Sequence, residues 1–550
     1  METAMHTTTA KKVLSVRPVG TRAVLAELDG LQDVLALQDM LYKSPLPGQV
    51  DVLAAAETVM VVGESAAATR AIGARLLELE LTIPEVTDSG LVVIDTVYDG
   101  DDLADVAELT GLSMDGVIAA HTGQIWTVAF AGFAPGFGYM VGENEALTVP
   151  RRSSPRTAVP AGSVALGGQY SAVYPRRSPG GWQLIGRTGA RMWDLDRAQP
   201  ALVRPGDRVQ YRAVREVVTA AAQDSQTDPD HHTGPGLRIL NPGAQSLIED
   251  LGRRGFGPLG VSAAGALDRA SLRRANRLVG NSASAAAIET VNGGLAVEAV
   301  GDQVIAVTGA PTTLTIQSPS WVDSEDDGGS EPQPGSRRTV PMAAPFALLD
   351  GEALTLGAPE SGFRNYVAMR GGVDVPEVLG SRSSDTMSGI GPAPLVIGQE
   401  LPAGDATEST AVGSPELQPG FPGEDVTVLD VVPGPRADWF DQAALDSLTS
   451  QDWLVTPQSN RVGMRLDGTP LKRIREGELP SEGTMAGALQ IPPAGLPVLF
   501  LADHPITGGY PVIGVVRDEH LDRAAQVPIG GRIRFRFIHD SPDFSKTPEK

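Results

Sequence analysis

Apolar and polar positions alternate through VLSVRPVGTRAVLAEL (13–28), which predicts two strands about a turn at Pro18–Gly20. A helix over 31–42, a strand over 57–63 (ETVMVVG) and a helix over 65–79 follow, predicting a small α+β domain over 12–88. LVVIDTVYDG opens a second region, 89–213, with a strand and an acidic turn; helices over 102–109 and 113–120 lead into a strand-rich stretch. Apolar content then falls away. Residues 214–236, ending in AAQDSQTDPDHHTGPG, have the composition of a linker that builds no core. GLRILNPGAQSLIEDLGRRGFG restarts the β-like pattern, and two further domains are expected over 237–424 and 425–540. SEDDGGSEPQPGSRR (324–338) and AGDATESTAVGSPELQPGFPGED (403–425) read as exposed excursions or interdomain loops. In ALDRASLRRANRLVGN, Asp268 as N-cap, Leu272, Ala275 and Leu278 as a buried stripe and Gly280 as the stop predict one more helix. Arg269, Arg273 and Arg277 lie on another face of it.

Two stretches repeat. VPAGSVALGGQYSAVYPRRSPGGWQLIG (159–186) and IPPAGLPVLFLADHPITGGYPVIG (491–514) share Pro-Ala-Gly, an apolar strand, a polar turn, Gly-Gly-aromatic and an apolar pair before Gly. RPGDRVQY (204–211) and VPIGGRIRF (527–535) then match in the same order. Three landmarks in sequence predict two copies of one β-barrel module, one on each side of the linker.

Composition narrows the chemistry. With 550 residues, 41% hydrophobic and 20% charged, the chain has material for several cores; 63 Gly and 43 Pro suit short strands and tight turns. A net charge of −23 opposes nucleic-acid and anionic-membrane binding, while leaving room for a local basic pocket. There is no apolar run of about eighteen residues, and METAMHTTTAKK lacks the apolar core of a signal peptide. Zero cysteines exclude disulfides, thiolate catalysis and cysteine metal sites, and a cytoplasmic protein is expected. No Gly-Lys dipeptide, HExxH or GxSxG occurs, so a Walker loop, a zincin site and a hydrolase elbow are absent and no metal site is expected. Only six lysines occur, none in a Met-Lys-Met biotin-attachment site.

Candidate chemistry gathers at a few places. FAGFAPGFGYM (130–140) combines rigid and permissive residues with three phenylalanines, reading as a core turn or the wall of a pocket. His121 stands at the end of the 113–120 helix with Gly123 beyond it, either as an imidazolium on the helix dipole with Gly123 as a left-handed cap, or as a proton-transfer group. Arginines in PRRSSPR (150–156) and YPRRSPGGWQLIGRTG hold an oxyanion or form solvated turns. Asp503, His504 and Thr507 in LADHPITGGYPVIG sit where the repeat places Gln169–Ser178, so both barrels are expected to carry polar groups at one equivalent mouth.

At these residues the first half resembles the 5-oxoprolinase B-subunit and allophanate-hydrolase-subunit-1-like proteins: GFAPGFGY, PRRSSPRTAVPAGSV, YPRRSPGGWQLIGRT and RPGDRV. The second half resembles the C-subunit and subunit-2-like proteins through LGRRGFGPLGVSAAGALDRASLRRANRLVGN, GGVDVPEVLGSRSSD, SNRVGMRLDG and ALQIPPAG with DHPITGGYP. The same pair forms the carboxyltransferase part of urea carboxylase. The resemblance implies a mainly β fold with cyclophilin-like barrels in two fused halves that touch, and a small α+β domain at the N-terminus. It implies ATP-dependent opening of 5-oxoproline to glutamate with a LamB/YcsF-like partner, using ATP with Mg and no covalent biotin.

On that reading His121, Asp503 and His504 are catalytic. Phe133 and Phe137 lie against the ring beside Pro135 and Gly136. Arg152, Arg156, Gln169, Arg187 and Arg461 bind substrate or nucleotide, as do Thr507, Gly508, Gly509 and Tyr510. SGIGPAPLVIGQEL departs from the Gly-Arg-x-Leu run of many relatives, which weakens a charge role at 393–394. The amidase-signature residues are absent, against an allophanate hydrolase. The alternatives are carboxyltransfer to urea or a related amide with separate biotin carboxylase and carrier proteins, and a regulatory kinase-inhibitor and antagonist pair.

Overall fold

A computed structural model describes residues 11–81, 90–216, 234–319 and 335–538, apart from Ser153, Pro155, Glu424 and Glu478. The domain edges expected at 88 and 424, most of the 214–236 linker and most of the 324–338 excursion lie outside these residues.

The N-terminal domain is an antiparallel sheet in the order Ser15–Val19, Ala23–Glu27, Thr58–Gly63, Gln49–Ala54, with helices Leu31–Lys43 and Ala66–Glu78 on one face. Its apolar runs are almost unbroken because both faces are covered. Val24, Ala26, Val59 and Val61 point to the helices, whereas Ala23, Leu25 and Met60 pack on Phe500, Ile506, Val512 and Val515 of the second half. The strand Gln49–Ala54 was not anticipated.

The repeat folds as two seven-stranded barrels. The first has β1 (Leu91–Thr96), β2 (Trp126–Ala131), β3 (Gly138–Val141), β4 (Ser163–Gly167), β5 (Tyr170–Val173), β6 (Gln183–Arg187) and β7 (Arg208–Ala213). The second has β8 (Thr427–Pro433), β9 (Trp453–Val455), β10 (Gly463–Asp467), β11 (Ala488–Gln490), β12 (Val498–Phe500), β13 (Val512–Val516) and β14 (Arg532–Phe537). The orders are β6-β4-β5-β3-β2-β7-β1 and β13-β11-β12-β10-β9-β14-β8, strand for strand the same. Each module joins its first and last strands in parallel. The second barrel is closed, and a bridge from Val97 to Arg187 draws the first together. In both, the tryptophan that opens the second strand donates its indole N–H to the preceding helix, Trp126 to His121 O at 3.0 Å and Trp453 to Leu448 O at 2.9 Å.

The register of the repeat needs one correction. Pro160–Gly162 precedes β4, but Pro493–Gly495 follows β11, so the Pro-Ala-Gly runs are not equivalent. The true counterpart of Ala161-Gly162 is Ala486-Gly487, whose glycines share left-handed φ values of 78° and 91°. Gln169, in the β4–β5 turn, therefore lies at the opposite end of β5 from the loop that matches Asp503–Thr507.

Between the barrels in sequence, a six-stranded and a five-stranded antiparallel sheet pack face to face around Ile239, Ile288, Val297, Ile305 and Val367. The helix Arg269–Val279 covers the smaller sheet through Leu272, Ala275 and Leu278, with Asp268 accepting from Ser271 N at 2.9 Å and Gly280 closing it at φ 81°. Residues 406–423 run along the surface without helix or strand, as expected of an exposed excursion.

Candidate functional site

FAGFAPGFGYM forms a tight turn between β2 and β3 on the outer side of the first barrel, against the N-terminal domain. Phe130, Phe137 and Tyr139 are buried with Tyr174 and Trp182, Phe130 stacking on Tyr139 at 4.3 Å and Phe137 meeting Tyr174 edge-on at 5.3 Å. The cleft of about 590 Å³ beside this cluster is lined by Arg151, Gln169, Tyr170, Glu57 and Ser481. Phe133, Pro135, Gly136 and Phe137 do not line it. The expectation that they wall a barrel pocket is corrected: the aromatics cover the α+β domain instead.

This turn is also where the two halves meet. Gly136 N–H donates to Leu259 O at 3.2 Å. A Cβ on Gly132 would stand 2.1 Å from Thr507 Oγ1, so only glycine admits the second barrel's loop there. Thr507 in turn hydrogen-bonds the Tyr139 hydroxyl. Phe133 holds φ 62°, a left-handed value a phenylalanine adopts at a cost of about 1–3 kcal/mol. Two motifs far apart in sequence thus form one contact.

On the Thr507 loop, His504 is 7% exposed and stacks on Phe500 with ring centroids 5.8 Å apart. Nδ1 lies 2.9 Å from Pro505 O and donates there, with Thr484 Oγ1 at 3.4 Å. That bond sets the tautomer and leaves the lone pair on Nε2, which has no protein partner among the described residues. Burial lowers the imidazole below its ordinary value, against the opposing pull of the Pro505 carbonyl and Asp385. Burial thus favours the neutral ring, with a lone pair on Nε2.

Other anticipated residues are otherwise engaged. His121 is wholly inside the first barrel, its Nδ1 2.7 Å from Tyr98 Oη and its Nε2 2.8 Å from Ser171 Oγ. Burial drops it to about 3, so it carries no charge for the helix dipole, and Gly123 has φ −81° rather than a left-handed cap. Both ring nitrogens are committed, which removes it from proton transfer at the junction. Arg156 grips Asp102 through two bonds of 2.8 Å, and Arg152 joins at 2.5 Å. Burial pulls the Asp102 carboxyl up, but the Arg156 pair, the Leu184 amide and Arg152 outweigh it and hold it below the usual range. These arginines lock the acidic turn to the barrel. Arg187 pairs with Asp99 at 2.8 Å on the surface.

Arg461 is 3% exposed and serves three buried carboxylates, Glu249, Glu289 and Asp503. Asp503 also accepts from Thr386 N at 2.9 Å and Oγ1 at 2.6 Å. Both are therefore internal fasteners between the second barrel and the domain before it, not ligand-facing groups. Gly508 pairs with Glu482, and Tyr510 is exposed with its carbonyl accepting from Gln490. Gly509 lies half-buried between them.

Asp385 and Arg253, which the sequence pattern did not single out, and Arg176, which it offered as an oxyanion holder, are tied together with His504 by charge. Asp385 accepts from Met387 N, Ser388 N and Ser262 Oγ at 3.0, 2.9 and 2.8 Å, and its charge reaches His504, Arg176 and Arg253. Arg253 is 2% exposed and spends its donors on the Val378 and Ser383 carbonyls, leaving Nη1 unpartnered. Arg176 Nε is likewise buried without a partner. Neither has an ion pair among the described residues, and burial lowers both guanidiniums. Arg253 Nη1 and Arg176 Nε are thus donors without a partner, on side chains that feel the same Asp385 charge as His504. Among the described residues no group of three or more His, Cys, Asp or Glu side chains is placed to hold a metal. Among them no helix is long and apolar enough to cross a membrane.

The comparisons with known proteins fall on both halves. Residues 259–537 match the model of the carboxyltransferase domain, subdomains A and B, and residues 14–203 that of subdomains C and D. Over 305 residues the chain is 37% identical to the 5-oxoprolinase C-subunit of Escherichia coli K12, covering 54% of this chain and 90% of that one. Over 134 residues it is 46% identical to the 5-oxoprolinase B-subunit of E. coli O157:H7, covering 24% and 62%. Urea amidolyase of Saccharomyces cerevisiae matches at 31% over 54% of this chain but only 16% of its own length. The crystal structure of TTHA0988 superposes with a TM-score of 0.81 at 32% identity, over 94% of this chain and 99% of that one.

Proposed function

The chain belongs to the carboxyltransferase-domain family, and from that premise we propose that it is the fused B and C component of an ATP-dependent 5-oxoprolinase. It would open 5-oxoproline to glutamate together with a LamB/YcsF-like partner. The observation that carries this reading is the union of a C-type and a B-type half in one chain, docked so that GFAPGFGY meets the ITGGYP loop. A lactam is a poor electrophile, and ATP supplies the activation of its oxygen. The chain's own residues do the rest of what is assigned here. Arg176 and the free Nη1 of Arg253 supply positive charge and donors for the ring carboxylate. His504 Nε2 accepts the proton of the attacking water. Asp385 holds its own loop through Met387, Ser388 and Ser262, and its charge acts on both arginines.

The test is glutamate formation by the purified chain, by the partner and by both, with and without Mg-ATP. Glutamate and ADP should appear together only in the complete mixture; rapid release by the chain alone without ATP would sink the proposal. The urea amidolyase match favours a second reading, carboxyltransfer to an amide. It predicts transfer of labelled carboxylate from carboxybiotin to urea by this chain, and no ADP with 5-oxoproline.

A further inference from the structure

We propose that the cleft between the N-terminal domain, the Arg269–Val279 helix and the second barrel binds a phosphate chain. It holds about 470 Å³ and is lined by Arg22, Arg254, Arg269 and Arg273, one from the first half and three from the second. In a chain of net charge −23, the four guanidiniums here match the four carboxylates of the same lining, so the cleft is far less acidic than the chain as a whole. Arg254, Arg269 and Arg273 have no ion pair and no side-chain hydrogen bond among the described residues. Partial burial, and then the like charges of Arg269, Arg22 and Arg273, lower the Arg254 guanidinium against the opposing pull of Asp518. Such mutual repulsion is relieved by a shared polyanion.

Four acids line the cleft as well, Glu64, Asp518, Glu519 and Asp522; the last three are already engaged, and Glu64 has no side-chain partner among the described residues. Asp518 pairs with Arg22 at 3.2 Å, and Glu519 pairs with Arg517. Asp522 accepts from the Arg269 and Ala270 amides at 2.9 and 3.2 Å. The helix N-terminus is thus filled by the protein's own carboxylate, and the site consists of the arginine side chains. Its floor, Leu501 and Ala502, runs directly into Asp503 and His504, and the charge of Arg269 reaches the His504 ring. A phosphate chain on Arg269 would therefore share an arginine with the imidazole assigned to proton transfer.

The inference rests on the 5-oxoprolinase reading only in naming a nucleotide as the source of the phosphates. Calorimetric titration of the full chain with Mg-ATP, inorganic triphosphate and adenosine separates the sources. ATP and triphosphate should bind, adenosine should not, and added salt should weaken both. The doubly substituted Arg254→Gln/Arg273→Gln protein should lose about tenfold or more in affinity for both, with an unchanged melting temperature. Arg212→Gln, on a surface pair with Asp95, should change nothing. If the double variant misfolds, Arg254→Gln alone carries the same expectation at a smaller factor. Undiminished ATP binding by the variants, or adenosine binding as tightly as ATP, overturns the site even where ATP-dependent turnover stands. Triphosphate binding that falls in the variants without any ADP formation in the complete mixture keeps the site and removes the 5-oxoprolinase reading.

Discussion

His121 and His504 show how one residue type divides by environment. Inside the first barrel His121 has a folded-state value of about 3 against an unfolded value of 6.5. A depressed imidazole stabilises the fold fully above the unfolded value, and that stability is lost as pH falls toward the folded one. Between pH 7 and pH 5 the wild type should therefore lose about 2 kcal/mol through this group, seen as a falling urea midpoint. His121→Gln should flatten that dependence; an unchanged slope would show that the ring titrates normally. His504→Ala should instead cut partner-dependent turnover by roughly 10²–10⁴ with little change in melting temperature. Near-normal turnover would return His504 to a packing role against Phe500. Both histidines stand out in the sequence by their neighbours, but their order of importance does not, because burial and free ring nitrogens come from contacts far along the chain.

At the scale of elements, the β2–β3 turn and the Thr507 loop are the parts that define the junction. Gly132→Ala places a methyl 2.1 Å from Thr507 Oγ1 and should destabilise the protein by about 1–3 kcal/mol. Adding Thr507→Ala removes the hydroxyl and should recover part of the loss, giving a non-additive double-mutant cycle in thermal melts. Strict additivity would mean the two loops do not touch in solution. The glycines and aromatics of this turn were conspicuous in the sequence. Their partner was not, since a close approach across halves leaves no periodic trace. The strands and helices were legible for the opposite reason: apolar spacing marks each face. The Pro-Ala-Gly mismatch arose because turn residues recur at many strand ends and do not identify which end.

For the whole molecule, the union of the halves rests on apolar packing of Leu25, Leu53 and Met60 against Phe500 and Val515. Arg436 adds bonds to Glu27 and Glu482, and Asp51 accepts from Gly255 N at 3.1 Å. Cleavage within 217–233 should leave both fragments co-eluting on a sizing column at micromolar concentration. Clean separation would show that the tether, not the interface, holds them.

Hydrophobic spacing by itself determined most of the α+β domain and the helix at 269–279, because each element buries a face whose period the chain displays, while the two barrel copies were read from repeated landmarks, one of them in the wrong register. The motifs likewise determined the family, since they are short local runs. Only the tertiary structure decided which charged groups remain free. Arg152, Arg156, Arg187 and Arg461 are consumed by Asp102, Asp99 and the Glu249–Glu289–Asp503 cluster. Arg176, Arg253 and Arg254 keep unpaired guanidinium donors or charge. A charge is available to a ligand only when no buried partner reaches it, and that pairing is set by three-dimensional distance, which spacing along the chain does not encode.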